Sequence, residues 1–185
     1  MPNYILGLDV STSTTGVCIL DVDVEPNDGK HIVVLNKIDF KGCKTFFDKT
    51  DVIRSELAIL VSVHPGNYHV AIEEPLMGFS KGMSSATTIT TLMRFNGIVS
   101  YIARDIVKVD PDYVSAAHAR KICGVKLQRT SVVGMSHKEQ VFKYMSENDL
   151  KHVVWPKKKN GADVDWSRDA TDSYVIARAW CLMNK

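Results

Sequence analysis

The apolar residues of this chain follow two periods in turn, and the order of those periods outlines a fold. Residues 3–9 (NYILGLD) are a nearly continuous apolar run, the pattern of a strand covered on both faces. Residues 15–21 (TGVCILD) give a second strand after the polar turn Ser11-Thr12-Ser13-Thr14. Residues 31–40 (HIVVLNKIDF) give a third, after Pro26, Asn27, Asp28 and Gly29. Three strands in succession predict a β-meander. The period then changes: Val52, Ile53, Leu57, Leu60 and Val61 recur at helical spacing over 51–63. A short strand at 68–73 ends in Glu73, Pro75 breaks it, and a Gly/Ser-rich stretch (78–85) leads to the longest helix, 86–107. Ile89, Leu92, Met93, Asn96, Val99, Ile102, Ala103 and Ile106 form its stripe. Residues 112–115 fit a fifth strand, and Ser115 caps a short helix over AAHARKIC. Ser136 and Glu139 fit a capping box for a helix at 137–147. Residues 156–166 read as a polar loop, and the last helix as about 169–183. A meander followed by strand–helix alternation predicts an α/β fold with a mixed sheet flanked by helices, one domain over residues 1–185.

Four acids interrupt this pattern. Asp9 closes the first apolar run and Glu73 follows Val70-Ala71-Ile72. Asp169 and Asp172 open the last helix, three apart and therefore on one face. Acids at a helix start are common, because the helix dipole favours them there. Asp9 and Glu73 change that reading. If the first and fourth strands are neighbours, both carboxylates emerge at one sheet edge. Four crowded carboxylates raise one another's pKa values, and a divalent cation removes that cost. The set is all oxygen, suited to magnesium or manganese, with two ions as the expectation. Strand alternation points Glu73 and Glu74 to opposite sides, and register favours Glu73.

Composition narrows the class. The chain has 185 residues, 45% apolar and 24% charged, enough for one domain with a full core. No apolar run is long enough to span a bilayer, and the start, MPNYILGLDV, shows no cationic leader. A cytoplasmic setting is expected, with an organelle matrix as the alternative. Cys18, Cys43, Cys123 and Cys181 are far apart with no CxxC pair, which argues for reduced thiols. The net charge of +2 says little, but basic residues cluster around the acids. Lys121, Lys126, Arg129 and Lys138 lie upstream, and Lys157, Lys158 and Lys159 just before the last helix. Acids ringed by bases suit a metal-dependent enzyme acting on a polyanion. A solvated charged face is the plainer account of any one of these lysines.

With these residues in view, the chain resembles the RuvC-like Holliday junction resolvases of the ribonuclease H-like superfamily. The resemblance rests on ILGLDVSTSTTGVCILD, VAIEEPL, SAAHARKICGV, VVGMSHKEQV and RDATDSYVIARAW, which occur in family order and cover most of the chain. It implies a ribonuclease H-like fold, metal ligation by Asp9, Glu73, Asp169 and Asp172, and, from the K-x-Q-V match at Lys138, a lysine near the scissile phosphate. It also implies cleavage of branched DNA by a homodimer, and would suit a phage or organellar branch. The sequence departs from the family in reading Asp9-Val10-Ser11 where bacterial members often read D-P-G. Leu76 stands where an aromatic is frequent, and the loop between Val125 and Met135 is longer.

Phe79, in a Gly-flanked loop after the glutamate, is a candidate for stacking on a splayed base, with Lys81 beside it as a further nucleic-acid contact. The dimer surface is expected on the long helix, where Ile98, Tyr101 and Val107 lie off the main stripe. Other readings remain open at this stage. One is a ribonuclease H-like nuclease for flaps or RNA hybrids, and another a non-catalytic nucleic-acid-binding relative. A third is an actin-like or sugar-kinase-type phosphate-binding domain, suggested by Asp9-x-Ser11-Thr12-x-Thr14.

Overall fold

A five-stranded sheet runs through the protein in the order β3-β2-β1-β4-β5. The structure is a computed structural model, and it describes residues 1–75 and 86–184. The strands are β1 (Asn3–Asp9), β2 (Thr14–Asp21), β3 (Ile32–Asp39), β4 (Asn67–Glu73) and β5 (Asp112–Val114). The first three pair antiparallel as the expected meander, whereas β4 and β5 add in parallel on the other side of β1. Parallel pairing requires a crossover, and α1 (Phe46–Val63) and α2 (Ala86–Val107) lie in the two crossover connections.

Strand alternation sends side chains to two separate cores. Tyr4, Leu6 and Leu8 of β1, Val17 and Ile19 of β2, and Tyr68, Val70 and Ile72 of β4 pack under α1 and α2, against Ile53, Leu57, Phe95, Val99 and Ile102. The alternate residues Ile5, Cys18, Leu20 and Ala71 face the second helical layer. That layer comprises α3 (Ala116–Ile122), α4 (Thr130–Val133), α5 (His137–Glu147) and α6 (Trp166–Met183). Its centre is α6, buried almost all round from Ala170 to Ala177.

Helix starts are where sequence and structure differ. Thr45 and Asp48 form a capping box, so α1 begins at Phe46 and not near residue 51. The polar run Asp48-Lys49-Thr50-Asp51 separates Phe46 and Phe47 from the apolar repeat that resumes at Val52. α6 begins at Trp166, three residues earlier than expected. Asp169 therefore lies in its first turn, while Asp172 lies one turn further on. The single turn α4 ends at Gly134, whose φ of 67° closes it, where a loop was expected. Ser115 and Ser136 cap α3 and α5 as expected, the latter reciprocally with Glu139. On α2, Ile98 and Val107 pack against the inner core, and Tyr101 remains 61% exposed. None of the four cysteines forms a disulfide. Among the described residues, no helix is long and apolar enough to cross a membrane.

Candidate active site

Register brings Asp9 and Glu73 together. Leu8 pairs with Ile72 across the parallel β1–β4 ladder, so the next residues, Asp9 and Glu73, end their strands side by side. Both share the parity of Ile5 and Ala71 and so face α6. Each is half-buried, while Glu74 is exposed. The choice of Glu73 over Glu74 follows from this alternation. From α2, the Asn96 amide Nδ2 donates to the Glu73 carbonyl at 3.0 Å and anchors the strand end.

Two glycines let α6 approach the pair. A Cβ on Gly16, the β2 partner of Asp9, would lie 2.1 Å from the Asp169 carbonyl oxygen. A Cβ on Gly7 would lie 2.6 Å from that of Ser173. Both obstacles are backbone, so only glycine permits this packing. The approach sets the first turns of α6 over the ends of β1 and β2. Asp169 is half-buried there, and Asp172 is buried at 8% exposure.

Lys138, from the first turn of α5, reaches into the same place. Its Nζ donates to Asp169 Oδ1 and lies 3.4 Å from Asp172 Oδ2. Burial drives the Asp9 carboxyl well above the ordinary aspartate range. The charge of Glu73 and a hydrogen bond with it act in the same sense, against the pull of Lys138. Asp172 is pushed up to about 7, chiefly by burial and then by the charge of Asp9, with Lys138 and Arg120 opposing. Burial works against the charged form of Lys138. Its hydrogen bond to Asp169 and the charges of Asp172 and Asp9 outweigh that and raise its pKa.

The four carboxylates thus meet as two pairs, Asp9 with Glu73 and Asp169 with Asp172, the second bridged by an ammonium. Among the described residues, no three His, Cys, Asp or Glu side chains converge tightly enough to form a ready-made metal cluster. The donor chemistry nevertheless fits a hard divalent cation. It is all carboxylate oxygen, it is held at a desolvated strand edge, and its crowded charge raises two pKa values. Ligation by Asp169 and Asp172 requires Lys138 to yield its place.

The remaining expected residues sort by position. Lys121 and Lys126 line a cavity of about 320 Å³ with Arg120 and Leu127. Arg129 is exposed at the start of α4. Lys157 and Lys158 sit on a small hairpin closed by a bridge between Lys157 and Asp163. They pair with Asp163 and Asp165 at 2.6 Å each. Lys159 is exposed beside them. Phe79 and Lys81 lie outside the described residues. Sequence reasoning missed Arg120, whose charge reaches Asp172, and the anchoring amide of Asn96. A basic residue one helical turn from a cap gave no signal distinguishing it from Lys121.

Solved structures share this architecture over almost the whole chain. Thermus thermophilus RuvC covers 98% of it at a TM-score of 0.63 and 13% identity, matched over 95% of its own length. The same protein in complex with Holliday junction substrate covers 98% at 0.65 and 12%, over 94% of that chain. The chain shares the RuvC fold. The yeast mitochondrial Holliday junction resolvase Ydc2 covers 96% at a TM-score of 0.51 and 15% identity, over 77% of that chain. No protein-family model and no curated protein sequence matches the chain. The ribonuclease H-like sheet expected from the sequence is therefore present, and it carries Asp9 and Glu73 on adjacent strand ends beneath the start of α6.

Proposed function

We propose that this chain is a metal-dependent endonuclease that resolves four-way DNA junctions by paired nicks and acts as a homodimer. The observation that carries the proposal is that Asp9 and Glu73 end adjacent strands beneath the start of α6, where Lys138 bridges Asp169 and Asp172. Two of the similar structures, the yeast mitochondrial Holliday junction resolvase Ydc2 and RuvC in complex with Holliday junction substrate, support the same reading.

In this proposal the four carboxylates hold one or two magnesium or manganese ions. Such ions supply an activated water and neutralise charge on the cleaved phosphate. The protein's own groups do the rest. Desolvation at the strand ends strengthens every charge interaction with the phosphate. Lys138, displaced from Asp169, carries a proton-rich donor to a phosphate oxygen where negative charge develops. Lys121, Lys126, Arg129 and Lys159 hold the flanking backbone, and Lys157 and Lys158 join them by exchanging Asp163 and Asp165 for phosphates.

The proposal rests on one site per chain and a substrate with near two-fold symmetry. Two matched nicks then call for two chains in an isologous pair, with the exposed side of α2 around Tyr101 and Met93 as the proposed contact. Cleavage of labelled four-way, flap and RNA–DNA hybrid substrates, with and without magnesium, tests the function. Symmetric nicks in the junction that vanish in chelator are expected. Preferential cutting of flaps or hybrids would replace junction resolution with that activity. Sedimentation at micromolar protein tests the dimer, and a monomer that still makes paired nicks within one junction lifetime overturns it.

A further inference from the structure

Beside the acids lies a groove of about 430 Å³ lined by Ser136, Lys138, Glu139, Asp165, Arg168 and Asp169. Arg168 immediately precedes Asp169 on the first turn of α6. Its guanidinium carbon sits over the Phe142 ring of α5, 5.6 Å from the ring centre. That ring is itself fixed: Phe142 packs 5.5 Å from Trp155, which lies 6.3 Å from Trp166 and is only 8% exposed. An arginine laid on an aromatic face keeps its N–H edges for a further partner.

The acids of the groove wall do not take up those edges. Asp165 Oδ1 is 3.9 Å from Arg168 and already accepts from Lys158 at 2.6 Å. Glu139 Oε2 accepts from the Ser136 backbone N–H and hydroxyl at 2.8 Å each, closing the α5 cap. Asp169 accepts from Lys138. With its side chain 28% exposed, Arg168 is neither buried as a core ion nor free as a surface one. Its planar fork stands ready for a bidentate anion.

We propose that Arg168 grips the backbone phosphate next to the one being cut, and that the Phe142 ring holds the guanidinium in place so that this contact sets the register of the strand. The inference rests on the nuclease reading above and assigns a substrate-contacting, register-setting role that the four acids and Lys138 do not fill. Lys138 meets one phosphate as a point charge. A planar fork one residue from Asp169 fixes the strand at a second point, and two points define a register.

The test maps nick positions and salt dependence on a labelled four-way junction for the wild type, Arg168→Ala, Arg168→Lys and Phe142→Leu. Thermal unfolding of each variant establishes that it folds. The wild type is expected to nick at one phosphate per strand. Arg168→Ala is expected to spread the nicks to neighbouring phosphates and to cut at least about tenfold more slowly at saturating junction. Its binding should show a log–log salt slope smaller by about 1. Arg168→Lys should keep the slope and still lose the register, because an ammonium lacks the fork. Phe142→Leu, which retains apolar bulk, should lose register part-way. Wild-type register and slope in folded Arg168→Ala overturn this inference alone. A wild type that cuts no DNA removes both this inference and the function it rests on.

Discussion

Replacing Asp172 with Asn should stabilise the metal-free protein at pH 8, and the gain should vanish on acidification. Asp172 has a side chain 10% exposed and a carboxyl raised from 3.8 to about 7, mainly by burial and then by the charge of Asp9. The folded protein therefore binds this proton more tightly than the unfolded chain does. Stability from this group is complete below about pH 4, is lost as pH rises from about 4 to about 7, and changes little above that. At about 1.4 kcal/mol for each pH unit between the two values, the loss by pH 8 is about 4 kcal/mol at most. An asparagine cannot ionise, but its amide takes over only part of the interaction with Lys138 and Arg120. A net gain of about 2–4 kcal/mol at pH 8 is expected, falling to near zero or below by pH 4. Urea unfolding in excess chelator, run from pH 4 to pH 8 on both proteins, measures the gap directly. A gap of constant size across that range refutes the reasoning, as does a wild type that gains stability through the window where the Asp172→Asn protein does not. A divalent cation removes the same cost, so magnesium should raise wild-type stability more at pH 8 than at pH 5.

Other outcomes follow from the same geometry. Asp9→Asn and Glu73→Gln should abolish cleavage in a junction assay while gel-shift affinity holds or rises, since negative charge leaves and the phosphate-binding bases remain; Glu74→Gln, altering an exposed carboxylate, should cut normally. Lys138→Ala should lower turnover at saturating junction by about a hundredfold, whereas Ala at Lys157, Lys158 or Lys159 should change affinity and salt slope with little effect on the chemical step. Gly16→Ala, which drives a methyl against the Asp169 carbonyl, should cost about 1–3 kcal/mol in denaturant unfolding and reduce magnesium affinity as α6 shifts.

Much of this arrangement was legible because strands carry a strict two-residue period. Once 3–9 and 68–73 are read as strands, the parity that buries Leu8 and Ile72 under α1 and α2 sends Asp9 and Glu73 to the other face and leaves Glu74 outside. The D-x-x-D spacing put Asp169 and Asp172 on one helix face regardless of where the helix began, so an error of three residues at its start did not matter. Helix starts were harder, because Phe46 and Phe47 are cut off from the α1 repeat by four polar residues and Val164 and Trp166 are too few apolar positions to set a helical phase around Asp165. Ile98 and Val107, expected to lie off the main stripe of α2, are partly buried against the core beneath the helix. A helix covering a twisted sheet uses a broader apolar face than one stripe, and both residues extend it.

What the sequence pattern could not carry was the reason the acids meet. That depends on Gly7 and Gly16, whose meaning is a tertiary distance and not a local conformation. In a strand a glycine signals a bulge, a bend or a close backbone approach, and these cannot be told apart without knowing what lies above the sheet. Here the answer is the backbone of α6, at Asp169 and Ser173. The same approach that seats Asp169 beside Asp9 also buries Asp172 and raises its pKa. Any larger residue at position 16 that lifts the helix should therefore lower the Asp172 pKa toward its ordinary value as it weakens the site. Carboxyl titration by NMR in the metal-free Gly16→Ala protein measures this, and an Asp172 that still titrates near 7 in a protein with weakened magnesium binding would separate helix approach from the electrostatics of the site.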